Sequence, residues 1–306
     1  MAMRVFLAGA TGVIGTPLVP QLLEAGHEVT AMTRSVLRAA QLEAAGANPV
    51  VCDVFDADGV RAAMAGASPD AVIHQLTALP ARIDWSDPNV FDANNRVRTE
   101  GTRNLVDAAL AAGAHRMVAQ SIAFAYAPAG ERVKHEDAAL LTDGPPPVGG
   151  AIAAIAELER LVTSTIGIEG LVLRYGTLYG PGTYYDRRGS TAADVIAARV
   201  PLVEGATGLY SWLHVEDAAS AAVAALERGA PGIYNVVDDE PAPQPEWLPV
   251  LAQALGVEPP PAAEAPPPPY APEMSWQGAS NAKAKRELGW RPRYASWREG
   301  FAASLA

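Results

Sequence analysis

Residues 3–15, MRVFLAGATGVIG, decide how the rest of the chain is read. Val5, Phe6, Leu7 and Ala8 form a short apolar run of the kind that is buried on both faces of a parallel sheet. Gly9, Gly12 and Gly15 come next at three-residue spacing, and the apolar positions from Val13 to Leu23 recur with a helical period. A strand, a glycine-rich turn and a helix start together make a phosphate cradle. Glycine lets the backbone turn tightly and approach a pyrophosphate with no Cβ in the way. The free N–H groups and the dipole of the helix N-terminus attract the anion. A glycine-rich turn that binds nothing would show the same spacing, so the pattern of the later residues has to decide.

Beyond this turn the chain continues as a βα series. Glu28–Thr33 and residues 49–52, 71–76, 116–120 and 171–174 read as further strands, and residues 37–45, 56–65, 93–112 and 152–166 as the helices between them. Strands alternating with helices of this length imply an α/β fold, a Rossmann-type doubly wound parallel sheet with right-handed crossovers. After Arg174 the pattern turns irregular. Residues 175–189 are rich in glycine, tyrosine and charge, as binding loops often are. Helices are expected over 191–199, 214–227, 245–255, 280–288 and 297–305, and strands near 201–204 and 232–237. The proline-rich residues 258–272 read as an exposed extended loop. The expected division is a dinucleotide-binding domain of residues 1–174, to which 213–237 return, and a smaller C-terminal substrate lobe of 175–212 and 238–306.

Composition narrows the partners. A formal net charge of −11 argues against nucleic acid and anionic membranes. A single cysteine, Cys52, excludes an intramolecular disulfide framework and fits a reducing cytoplasm. No apolar run approaches the roughly 20 residues that span a bilayer, and no cleavable signal pattern precedes the first strand. Histidine and cysteine are too few and too scattered for a zinc site, so no metal is expected.

The chain resembles the extended short-chain dehydrogenases/reductases, the group of NAD(P)-dependent epimerases and dehydratases. The likeness runs through Gly9-Ala10-Thr11-Gly12-Val13-Ile14-Gly15, Glu100-Gly101-Thr102-Arg103-Asn104-Leu105, Leu173-Arg174-Tyr175-Gly176, Tyr179-Gly180-Pro181-Gly182, His214-Val215-Glu216-Asp217-Ala218 and Lys285-Arg286-Glu287-Leu288-Gly289-Trp290. It implies that Asp53 and Val54 face the adenine, that Gln75, Leu76 and Thr77 border the cofactor, and that Tyr175 passes the nicotinamide. NAD binders usually carry a carboxylate at the end of the second strand, and NADP binders an arginine nearby. Here Thr33 is followed by Arg34 and Ser35, with Arg38 a turn later, and a guanidinium matches a 2′-phosphate bidentately. The expected cofactor is therefore NADP(H).

The resemblance also implies a catalytic tyrosine four residues before a lysine. With Glu157 as the anchor, those positions fall on Gly149 and Ala153, and no register helps, because residues 139–165 contain neither tyrosine nor lysine. The usual serine falls on Ile122, next to Ser121. A rebuilt proton donor must lie at the carboxyl ends of the strands. By chain position the candidates are Tyr126, Tyr175 and Ser121, with His74 as a further option. Arg82, Tyr184, Tyr185 and His214 are candidates for substrate contact, and Arg187 and Arg188 for an acidic substrate. The function expected is an NADP(H)-dependent reductase of a small apolar or aromatic metabolite with a nonstandard active site. A catalytically silent NADP(H) sensor, or a cyclising or eliminating enzyme that uses the same cleft, would share these features. The resemblance further implies a homodimer built on the helices near 93–112 and 152–166.

Overall fold

The computed structural model describes residues 2–203, 205–263 and 276–305. Its centre is a seven-stranded parallel sheet of β1 (Arg4–Ala8), β2 (Glu28–Thr33), β3 (Asn48–Val51), β4 (Ala71–His74), β5 (Arg116–Ile122), β6 (Glu169–Tyr175) and β7 (Gly232–Val236). The spatial order is β7-β6-β5-β4-β1-β2-β3. Strand order therefore reverses between β1 and β4, the place where open α/β sheets bind ligands. Side chains alternate across β1 with the period of two that a strand imposes: Val5 and Leu7 enter one apolar layer, Phe6 and Ala8 the other. The helices in chain order are α1 (Gly15–Glu24), α2 (Val36–Ala44), α3 (Ala57–Ala67), α4 (Asp92–Arg96), α5 (Thr102–Ala112), α6 (Val148–Ser164), α7 (Ser190–Ile196), α8 (Val215–Glu227), α9 (Gln244–Leu255) and α10 (Trp297–Leu305). Leu18 and Leu22 of α1 and the alanines of α8 pack on the first face. Val60 and Met64 of α3, Leu105 of α5 and Leu158 of α6 pack on the second.

A third core lies apart from the sheet. It joins Tyr179, Tyr210, Trp212, Trp247, Leu251, Trp297 and Phe301, and the short strands Thr177–Tyr179 and Trp212–His214 pair in parallel at its edge.

Local chemistry starts several helices. Ser35 caps α2 by accepting from the Arg38 N–H, Asp56 caps α3 through the Gly59 N–H, and the His214 ring caps α8 through the Glu216 N–H. Two expectations change. The continuous helix over 93–112 is interrupted by a π-helical turn at Val97–Gly101, between α4 and α5. In the proline-rich stretch, Ala262–Ala263 pairs with Leu202–Val203 as a two-residue strand, and residues 264–272 lie outside the described residues.

Candidate active site

The three glycines of the first turn do different work. Gly9 has φ +99°, and a Cβ there would lie 2.6 Å from the Gln75 carbonyl carbon. A Cβ on Gly15 would lie 2.1 Å from the Gly9 oxygen. Both are required by the protein's own packing. Gly12 is exposed, and a Cβ there would meet only the Gly9 oxygen, at 3.3 Å. Its bareness keeps the mouth of the turn open. α1 has no side-chain cap at Ile14 and no acidic residue in its first turn, so the positive end of its dipole is left for an anion. These features fit a dinucleotide diphosphate.

The flanking positions surround that turn. Arg38 donates from Nη1 to the Thr11 carbonyl at 2.9 Å, which brings its guanidinium against the glycine loop. Arg34 is exposed and has no ion-pair partner among the described residues. Asp53, exposed at the end of β3, accepts from the Phe55 N–H, and Val54 is buried beneath Gly101. β4 ends at His74, so Gln75, Leu76 and Thr77 form the loop at its carboxyl edge. Gln75 is buried, donates to the Tyr175 hydroxyl at 3.0 Å and keeps an unpartnered Oε1.

The hydroxyls of the catalytic candidates Ser121, Tyr126 and Tyr175 are buried and already hydrogen-bonded. Arg174 grips Glu159 bidentately, Nε to Oε1 at 2.8 Å and Nη2 to Oε2 at 2.7 Å. Ser121 donates to Glu159 at 2.7 Å. Tyr126 donates to Asn235 at 2.6 Å and accepts from Arg174 at 2.9 Å. All of these side chains are buried, so Ser121 and Tyr126 tie β5 to its neighbours rather than face a ligand. Tyr175 is buried in the sheet core, and its burial pushes the phenol pKa up.

The anchor on α6 also moves. Glu157 is the outward glutamate, paired with Arg160 and Arg103. Glu159 is the inward one. Ala153 is exposed, and Gly149 is required bare, because its Cβ would lie 2.0 Å from the Gly144 oxygen. One and two turns before Glu159, the inward positions are Ile155 and Ala151, both buried and neither ionisable.

The remaining candidates separate by what they touch. His74 is fully buried and accepts at Nδ1 from the Leu76 N–H, so Nε2 carries the proton and donates to Thr102 Oγ1 at 3.1 Å. Burial lowers its pKa to about 4, which keeps it neutral. The buried His214 ring is committed to its helix cap, and Tyr185 packs edge-on against Trp212 and Trp247, so neither is placed as a substrate contact. Tyr184 donates to the Pro80 carbonyl at 2.6 Å, and Arg82 pairs with Asp194. Arg187 binds the carbonyls of Ala254, Leu255 and Leu305, at the ends of α9 and α10. Arg188 is exposed.

Two residues were missed in the sequence. Glu159 looked like its neighbour Glu157. Arg98 looked like one more solvated charge in NNRVRTEG, yet it sits on the π-turn with only 5% of its surface exposed. No group of histidine, cysteine and acidic side chains among the described residues is arranged to hold a metal ion.

Residues 5–236 match the sequence profile of the NAD dependent epimerase/dehydratase family. The chain belongs to this family. Among curated relatives, 3-diazoavenalumate denitrifying reductase from a Streptomyces species is 50% identical over 312 residues, covering 98% of this chain and 99% of that protein. UDP-glucose 4-epimerase of Thermus thermophilus, solved in complex with NAD, superposes with a TM-score of 0.74 at 26% identity over 98% of this chain and 97% of that one. UDP-glucose 4-epimerase of Thermotoga maritima, solved with UDP-glucose, reaches 0.79 at 19% identity, with the same coverage, and shares the fold. Within the epimerase/dehydratase family this chain is an oxidoreductase-type enzyme. No described helix is long and apolar enough to cross a membrane.

Proposed function

We propose that the protein is an NADPH-dependent reductase that replaces the dinitrogen of a small aromatic diazo compound with hydrogen. Reduction of a carbonyl creates an alkoxide that must be protonated, which is why such reductases carry a proton donor beside the substrate. Displacement of N2 differs: R–N2⁺ plus hydride gives R–H and N2, the C–N bonding pair leaves with the nitrogen, and no proton is required. The observation that carries this reading is the inward face of α6, where Ala151 and Ile155 stand before Glu159 and no tyrosine or lysine lies anywhere on the helix. The 50% identity to a reductase named for denitrifying a diazo compound supports it. Bound NADPH supplies the hydride. The chain's part is to hold the two partners in line and to exclude water. Arg34 and Arg38 support NADPH over NADH, because both guanidinium groups belong to the turn and helix that flank the glycine loop. Gly9, Thr11, Gly12, Val13, Ile14 and Gly15 would hold the diphosphate, and Asp53 the adenosine edge. We also propose a homodimer through α5 and α6.

The test uses NADPH deuterated at the transferring C4 position and 4-carboxybenzenediazonium, with a protein-free control. The expected products are NADP⁺, N2 and benzoate carrying deuterium at the carbon that lost nitrogen. Benzoate without deuterium, or no enzymatic NADPH oxidation, would overturn the reading. Arg34→Asp is expected to weaken NADPH by about tenfold or more while sparing NADH, since one charge-assisted bidentate contact is worth ~1.5–3 kcal/mol.

A further inference from the structure

Arg98 is a buried cation without a partner. Only 5% of its surface is exposed, and its Nε is sealed from solvent with no hydrogen bond. No other group among the described residues bonds or pairs with its guanidinium. Glu159, the nearest compensating charge, is already gripped by Arg174 and Ser121. The other ionisable group that faces it, His74, is neutral. Burial, only partly offset by the charge of Glu159, lowers the Arg98 pKa to about 10, so the group remains charged near neutrality. Buried arginines are ordinarily paired, because an uncompensated interior charge is costly.

The position is specific. Arg98 lies on the π-turn Val97–Gly101, which packs against α6, and π-turns recur at functional sites. It lies close to His74, the last residue of β4, and to Glu159, which holds Ser121 at the end of β5. The diphosphate cradle is on β1, and the adenosine flank on β2 and β3, on the other side of the switch point. A counter-ion for Arg98 therefore does not come from the cofactor phosphates.

Resting on the proposed reaction, we infer that Arg98 binds an anionic oxygen of the substrate at the reacting end of the cleft. It is a specificity-determining residue that selects diazo compounds bearing such an oxygen over uncharged-ring analogues. A carboxylate across the ring from the diazo carbon, or a ring oxide beside it, carries this chemistry. Either would let the cationic R–N2⁺ group sit near a guanidinium that otherwise repels it.

Arg98→Met and Arg98→Lys test the assignment. With NADPH present, the substrates are benzenediazonium, 4-carboxybenzenediazonium and 2-diazoniophenolate. Wild-type protein is expected to prefer at least one of the two oxygen-bearing compounds by tenfold or more in kcat/KM, and which of the two shows whether a carboxylate or an oxide is held. Arg98→Met is expected to erase that preference with NADPH affinity unchanged, and Arg98→Lys to restore part of it. A preference that survives in Arg98→Met, or NADPH affinity that falls with it, would overturn the assignment. A second readout needs no ligand and no turnover. Removing an unpaired buried charge leaves the melting temperature of the free protein equal or higher, whereas removing a structural partner lowers it by several degrees. Absence of deuteride transfer by the wild type to all three compounds would defeat the proposed reaction, while the melting comparison would still decide whether Arg98 is unpaired in the free protein.

Discussion

At the residue scale, His74 shows how burial turns an ionisable group into a structural one. Its Nδ1 accepts from Leu76 and its Nε2 bonds Thr102, an arrangement that only the neutral ring permits. The folded pKa of about 4 lies below the ordinary 6.5. Between these values the unfolded chain binds a proton that the native protein refuses, so stability falls as pH drops from 6.5 to 4 and levels off below that. A shift of this size is worth roughly 3 kcal/mol. Urea denaturation at intervals from pH 7.5 to 4 should show that loss. His74→Asn is expected to be less stable at pH 7.5 and to have a flatter profile, the residual slope coming from His27 and His214, whose pKa values burial also lowers, and toward pH 4 from carboxylates such as Asp70 and Glu157, whose pKa values their arginine partners lower. Profiles of equal slope in the two proteins would refute the account. The same contrast separates Ser121, Tyr126 and Tyr175, whose hydroxyls are buried and bonded, from the exposed Arg34.

At the scale of elements, the first βα turn separates fold from function within seven residues. Gly9→Ala would force a Cβ into the Gln75 backbone at a φ that alanine rarely adopts, so it is expected to cost stability and nucleotide binding together. Gly12→Ala has only the Gly9 oxygen to accommodate, so it is expected to melt within a few degrees of wild type. Its methyl group would occupy the space a diphosphate needs, and NADPH affinity should fall by tenfold or more. Calorimetric titration beside thermal melting separates the two outcomes, and a Gly12→Ala protein that binds NADPH normally would remove this turn from the cofactor site. Such a turn was legible in the sequence because its chemistry is local: three spaced glycines between an apolar strand and a helix. The sheet was legible for the same reason, its central strands being short apolar runs. α6 was not placed correctly, because the choice between Glu157 and Glu159 depends on which one faces Arg174, a contact set by β6. The π-turn was invisible too. Its extra residue per turn changes which side chains face inward, and NNRVRTEG reads as an ordinary polar helix until α6 packs on it. The reacting end of the site was therefore the part that sequence reading placed least well, since its side chains are selected by long-range packing rather than by spacing.

At the scale of the molecule, the sheet cores and the aromatic core are separate clusters joined by buried polar bonds. Asp238, just after β7, accepts from the Trp297 N–H at 2.8 Å and so caps α10 from across the boundary. Asp217 of α8 accepts from the N–H groups of Arg293 and Tyr294. Asn281 donates to the carbonyls of Val237 and Asp238. Each of these groups would be left unsatisfied if one core opened while the other stayed folded, at a cost of ~1–3 kcal/mol apiece. The cores are thus expected to unfold as one unit. Tryptophans make this testable once Trp85 and the sheet-core Trp290 are replaced by phenylalanine in every protein compared, because Trp212, Trp247 and Trp297 all lie in the aromatic core, whereas the proposed nucleotide turn lies on the sheet. NADPH at a hundredfold excess over its Kd stabilises the native state by ~2.7 kcal/mol, which for a chain of this length corresponds to a rise in melting temperature of about 4 °C. Tryptophan fluorescence and far-ultraviolet circular dichroism should report the same rise, although the proposed nucleotide site includes no residue of α9 or α10. Asp238→Ala removes the cap that couples the cores, so in that variant the fluorescence transition should come first and respond less to NADPH. If fluorescence in the wild-type protein already ignores the nucleotide while circular dichroism follows it, the buried carboxylates do not transmit stability and the two cores fold independently.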